Sequence, residues 1–165
     1  MIFETQRLIV RKLVFSDLNS FHKMQSNIKV MQFAQGDVKT LEEHEEEILQ
    51  LIKKYKKPIN DFWIYAIERK SDKLFLGTLA LVKDNQDDEI GYRFLEEYWK
   101  KGYGFEVCEG TIKYCRQKEI KKLVGYVFDE NIASAKILKK LNFKVVKKFI
   151  NDDNLLPETK FELKL

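Results

Sequence analysis

Residues 62–94 constrain the fold more than any other stretch of the chain. Three strand-like runs lie there, Phe62 to Arg69, Phe75 to Val82 and Asp88 to Phe94, parted by polar turns at Lys70-Ser71-Asp72-Lys73 and at Lys83 to Asp87. Strands joined by turns this short run antiparallel, because a parallel crossover needs a dozen or more residues. An antiparallel meander is therefore expected at the centre of the chain. Immediately after it, Lys101-Gly102-Tyr103-Gly104-Phe105 opens a helical pattern that runs to about Gln117.

The flanks extend this plan. Arg7 to Leu13 reads as a first strand, and Ser16 or Asp17 can cap a helix reaching about Ser26. Thr40 followed by Glu43 has capping-box spacing, with a helix to about Tyr55. After the long helix come a strand at Lys122 to Phe128, a helix from Asn131 to about Leu141, and strands at Lys144 to Ile150 and Thr159 to Leu165. The expected class is α+β: a mixed, mostly antiparallel, twisted sheet of about seven strands with flanking helices.

Composition narrows the function. A length of 165 residues suits one domain, taken as residues 1–165, and 44% hydrophobic with 13% aromatic residues argues against disorder. A net charge of +4 is too weak to imply nucleic acid. The lysines at Lys118 to Lys122 and Lys139 to Lys148 read first as solvated faces, with neutralisation of ligand phosphates as the alternative. Cys108 and Cys115 are about 10 Å apart by helix rise, too far for a disulfide. Two histidines without close Cys/His spacing give no metal site. No leader pattern and no long apolar run is present, so a soluble, cytoplasmic protein without a membrane partner is expected.

The glycine turn carries the chemistry. A turn that opens a helix leaves several N–H groups unpaired, and with the helix dipole these hold a phosphate or pyrophosphate. Neither the G-x-G-x-x-G dinucleotide pattern nor the Gly-Lys-Ser/Thr end of a nucleotide P-loop is present; Val107 stands at the third glycine position of the former. Alone, the turn is equally well a simple strand-to-helix connection. A second constellation joins it. Asn131 can cap the next helix, and Ser134 lies one turn on, on the same side.

Together these segments resemble the GNAT superfamily of N-acyltransferases. Thr5-Gln6-Arg7-Leu8-Ile9-Val10-Arg11, Glu89-Ile90-Gly91-Tyr92, Trp99-Lys100-Lys101-Gly102-Tyr103-Gly104-Phe105-Glu106 and Asn131 to Phe143 are similar, in order, to motifs of its ribosomal-protein N-terminal acetyltransferase (Rim-type) branch. Two positions depart. Asn142 replaces a glycine before Phe143, and Leu138 stands where many members place a proton-donating tyrosine.

The resemblance implies acetyl-CoA as acyl donor, a primary amine of a protein N-terminus or a small molecule as acceptor, direct attack in a ternary complex and a sheet splayed between its two central strands. It implies that Lys101, Gly102, Tyr103, Gly104 and Phe105 grip the pyrophosphate. The pantetheine arm would pair with the backbone of Phe94 and Leu95, and Asn131 and Ser134 would line the opposite wall. Glu89 is the first candidate base and Glu106 the second. Each has a plainer reading, Glu89 as a solvent-facing strand residue and Glu106 as a first-turn carboxylate suited to the dipole. Ser134 would pass a proton to the departing thiolate. Met31 and Phe33, with Gln35 beside them, would border the acceptor. A homodimer is common in such relatives. The alternative is a non-catalytic acyl-CoA-binding module on the same fold.

Overall fold

The computed structural model describes residues 1–33, 38–58 and 60–165, residue 84 by its backbone alone. Gln35 lies outside the described residues. Eight strands form one sheet: β1 (Phe3–Glu4), β2 (Leu8–Lys12), β3 (Phe62–Arg69), β4 (Phe75–Asp84), β5 (Asp87–Phe94), β6 (Lys122–Phe128), β7 (Lys144–Ile150) and β8 (Pro157–Lys164). Their spatial order is β1-β2-β3-β4-β5-β6-β8-β7. Every pair is antiparallel except β5 with β6. The described helices are α1 (Leu18–Gln25), α2 (Ile28–Met31), α3 (Leu41–Lys54), α4 (Tyr103–Gln117) and α5 (Ile132–Lys140).

The α+β class and the central meander are as the sequence implies, with three local differences. The eighth strand is β1, a two-residue piece paired as Phe3↔Val10 and Glu4↔Ile9, too short to show a period. The β4–β5 turn is tighter than its polar composition suggests. Asn85 adopts φ 56°, a left-handed conformation that Asn tolerates, so Asp84 pairs directly with Asp87. Third, the segment after Ser26 is not wholly irregular. Asn27 Oδ1 accepts the Lys29 amide at 2.9 Å and starts α2.

The sheet separates two apolar layers. On one face Leu8, Val10, Leu79, Ile90 and Phe94 pack under Val107, Cys108 and Ile112 of α4. On the other, Leu13, Ala66, Phe75 and Leu95 meet Phe21 and Met24 of α1 and Ile48 and Leu51 of α3. Each such side chain, fully buried, contributes about 1.5–3 kcal/mol. Thr40 caps α3 as its spacing implies: its hydroxyl accepts from the Glu43 amide, and the Glu43 carboxylate accepts from the Thr40 amide.

The sheet is interrupted where β5 meets β6. Their parallel pairing is confined to Asp88↔Leu123 and Glu89↔Val124. Beyond Glu89 the strands diverge, and among the described residues the edge of β5 from Ile90 onward has no ladder partner on that side. At the far end of β5 the backbone runs close to β4. A Cβ on Gly77 would fall 2.0 Å from the Arg93 carbonyl oxygen, so only glycine fits there.

Candidate active site

Two cavities meet in the gap between β5 and β6. One, of about 520 Å³, runs along the glycine turn and is bordered by Trp99, Lys100, Gly102, Tyr103, Gly104 and Phe105. The other, of about 580 Å³, lies toward β8 and is bordered by Glu89, Tyr126, Phe128, Phe149, Asn151 and Glu158. Phe33, Tyr92, Arg93, Asn131 and Ser134 border both.

The first cavity ends on a shaped loop. Gly102 is the N-cap of α4, with φ 79°, and no side chain caps the helix. The first intrahelical bond is from the Glu106 amide to Gly102 O at 3.2 Å. The amides of Tyr103, Gly104 and Phe105 precede it and have no intrahelical acceptor. Lys100 is also left-handed, with φ 59°, at a cost of roughly 1–2 kcal/mol for a side-chain-bearing residue. Gly104 is an ordinary helical residue; a Cβ there would lie 3.1 Å from Ile137 Cδ1 and 3.2 Å from Tyr92 Cε2.

The N-terminal segment holds this loop from outside. Arg7 Nη1 donates to Lys101 O at 3.1 Å, and the guanidinium carbon sits 4.5 Å from the Tyr103 ring centroid. Glu106 belongs to the same brace. Its carboxylate accepts from Thr5 Oγ1 at 2.6 Å, the Arg7 amide at 2.7 Å and Arg7 Nε at 2.6 Å. Burial alone would raise its pKa, but the Thr5 and Arg7 hydrogen bonds win and hold it below the ordinary value. Glu106 borders a third cavity, on the outer side of α4, and neither of the two that meet in the gap. Glu106 therefore ties the N-terminal segment to the first turn of α4 and does not line the gap.

The other residues singled out from sequence divide in the same way. Asn131 Oδ1 accepts the Ser134 amide at 3.2 Å, so it caps α5 while lining the gap. Phe94 borders the first cavity, but its carbonyl accepts Trp99 Nε1 at 2.8 Å. Leu95 is buried, and its amide is spent on Leu76 O at 2.9 Å. The stretch Ile90 to Arg93 lies past the last β5–β6 pair, beside the gap. Lys101 is exposed, with Nζ 5.4 Å from the Tyr98 ring centroid. Phe33 borders both cavities. Met31 Sδ lies 3.9 Å from Arg93 Nη1. Glu96 fixes α2 beside the gap, accepting from Asn27 Nδ2 at 3.0 Å and Lys29 Nζ at 2.5 Å.

Three residues were not singled out. Tyr92 donates its hydroxyl proton to Ser134 Oγ at 3.1 Å, and burial pushes its phenol pKa up, so it stays protonated at neutral pH. Arg93 follows Glu89 and Gly91 on one face of β5, a spacing that could have flagged it. Glu158 is buried at the β8 start, accepting from Asn151 Nδ2 at 2.7 Å. Nothing local in the sequence points to Glu158, because it reaches the gap only through the β6–β8 pairing Phe128↔Glu158. Among the described residues no group of three or more His, Cys, Asp or Glu is placed to hold a metal, and no helix is long and apolar enough to cross a membrane.

The fold and gap define an acyltransferase architecture, and the family assignment agrees: the acetyltransferase (GNAT) domain model matches residues 7–144. The chain belongs to the GNAT acetyltransferase family. It is 28% identical over 147 residues to the uncharacterized N-acetyltransferase YoaA of Bacillus subtilis, covering 86% of this chain and 82% of that one. A GNAT-family acetyltransferase from Bacillus anthracis superposes with TM-score 0.87 at 20% identity, covering 98% and 97% of the two chains. Spermidine N-acetyltransferase of Vibrio cholerae, solved with CoA and spermine, gives TM-score 0.81 at 16% identity and 95% coverage of each. The Rim-type branch is one neighbour among several. RimL, a ribosomal L7/L12 α-N-protein acetyltransferase in complex with coenzyme A, gives TM-score 0.83 at 17% identity, covering 98% and 96%.

Proposed function

We propose that this chain is an acetyl-CoA-dependent N-acetyltransferase that moves an acetyl group to a primary amine by direct attack. The observation that carries the reading is the end of β5–β6 pairing at Glu89↔Val124, with two cavities meeting in the opening beyond it. Donor and acceptor can then approach from opposite sides and react in the gap.

The amides of Tyr103, Gly104 and Phe105 receive the pyrophosphate, aided by the α4 dipole and the nearby Lys100. The open backbone of Ile90 to Arg93 pairs with the amides of the pantetheine arm. A neutral amine attacks the thioester carbonyl carbon, forming the C–N bond as the C–S bond breaks. Glu89, bordering the acceptor cavity, takes the proton released by the nitrogen, directly or through one water. Ser134 Oγ accepts the Tyr92 O–H and turns its own hydroxyl proton toward the departing thiolate, which it stabilises by a hydrogen bond until the sulfur takes a proton from solvent. This pair offers a hydrogen-bond donor to the sulfur although Leu138 supplies none. A thiol of pKa roughly 8.5 is also a tolerable leaving group.

The test is CoA release from acetyl-CoA over a panel of amines. Glu89→Gln should lower kcat by about 10²–10⁴-fold and leave acetyl-CoA affinity unchanged. The competing reading, an acyl-CoA-binding module, is favoured by Leu138 in place of tyrosine. Tight acetyl-CoA binding with no CoA release from any amine would establish it instead.

A further inference from the structure

We propose that the acceptor is an amine that also carries a carboxylate, of the amino-acid type, and that Arg93 receives that carboxylate. The proposal rests on the acetyl-transfer reading of the same site. Arg93 stands where the two cavities meet. Its Nη1 donates to Gln25 Oε1 at 2.8 Å, and the next contact of that nitrogen is Met31 Sδ at 3.9 Å. Both partners are neutral. A guanidinium has five N–H donors, so most of its capacity is directed elsewhere.

Among the described residues, no carboxylate lies within ion-pair distance of Arg93. Glu47 acts on it only at longer range and is itself paired with Lys39 at 2.6 Å. Burial lowers the Arg93 pKa, as expected for a cation removed from water without an anion beside it. Three of the other four arginines are paired, Arg7 with Glu106, Arg11 with Asp17 and Glu68, and Arg69 with Asp72, and the fourth, Arg116, is exposed to solvent. A cation left unpaired in a cavity is costly unless something arrives to neutralise it. A planar guanidinium fits a carboxylate through two parallel hydrogen bonds.

The same cavity holds the opposite sign. Glu89 borders it from β5 and the buried Glu158 from β8. Glu89 and Arg93 lie on one face of β5 with Cα atoms about 13 Å apart along the strand, and the two long side chains can lean toward each other over Gly91 to close most of that span. An acceptor bridging them presents its amine toward Glu89 and its carboxylate toward Arg93. A polyamine would instead set a second ammonium against an unpaired guanidinium, which repels it.

Wild-type protein is assayed for CoA release with free L-amino acids, the matching amino-acid amides and spermidine. At least one free amino acid should exceed its own amide in kcat/KM by on the order of 10²-fold, since the amide leaves the guanidinium unmatched. Arg93→Gln should bring that ratio close to one by slowing the acid and sparing the amide, and Arg93→Lys should restore part of it. Equal wild-type rates for acids and amides, or a preference for spermidine, would overturn the proposal without touching the transfer reading. So would an Arg93→Gln variant that slows acid and amide alike, the mark of a purely structural arginine. Acetyl-CoA binding with no CoA release from any acceptor would take down both.

Discussion

The two halves of the gap, donor and acceptor in the function proposed above, are built by opposite strategies. The donor half comes from one continuous stretch, Trp99 to Phe105, plus the start of α5. Its working parts are main-chain amides at a helix end, fixed by Gly102 and braced by Thr5, Arg7 and Glu106. The acceptor half draws Phe33, Glu89, Arg93, Tyr126, Phe149 and Glu158 from five places along the chain. Its working parts are side chains. The difference teaches that a ligand with fixed chemistry can be held by local backbone geometry, whereas choice of a variable partner is delegated to side chains that only the fold assembles.

The comparison can be broken at the point the halves share. Gly77→Ala would drive a methyl group to 2.0 Å from Arg93 O, forcing β5 to move. A loss of about 3 kcal/mol of stability is expected in chemical denaturation. If the variant still folds, acceptor turnover should suffer more than acetyl-CoA affinity, because Arg93 moves while the α4 amides do not. An equal loss of both would deny that the halves are separable.

Acid should also strike one half first. His22 Nδ1 and His44 Nδ1 are 2.9 Å apart and join α1 to α3, the helices behind the acceptor wall. His44 is buried, and burial lowers its pKa from 6.5. The unfolded chain therefore takes up a proton at a higher pH than the folded chain. The sign follows: stability is flat above 6.5, falls as pH drops below it, and levels again below the folded value. Thermal unfolding scanned over about pH 5 to 8 should show this slope, and His44→Gln should flatten it. A slope that survives in His44→Gln would assign it elsewhere.

The smallest effect belongs to the donor loop. Lys100 at φ 59° occupies a conformation that glycine adopts freely. Lys100→Gly should raise stability by up to about 1 kcal/mol, read from the denaturation midpoint. A loss of stability would mean that the side chain's contacts outweigh the backbone strain.

What could be read from the sequence follows the same division. The meander, the Thr40–Glu43 cap and the glycine turn are local patterns, and each stands in the structure within a few residues of its expected place. Asn131 and Ser134 were legible because three residues on a helix share a side. Glu106 looked equally suited to base or dipole roles, since its partners Thr5 and Arg7 are about a hundred positions away. At Phe94 and Leu95, expected to offer backbone to the pantetheine arm, tertiary contacts engage the Phe94 carbonyl with Trp99 and the Leu95 amide with Leu76. Arg93 had a weak signal in its period-two relation to Glu89. Glu158 had none, because sheet order rather than sequence distance brings β8 beside β6.

The central claim is that the amides opening α4 hold the diphosphate of acetyl-CoA. Backbone amide resonances followed during acetyl-CoA titration test it directly. The account predicts that Tyr103, Gly104 and Phe105 show the largest shifts, saturating together with ligand binding. Saturating binding that leaves those three amides unmoved would contradict it.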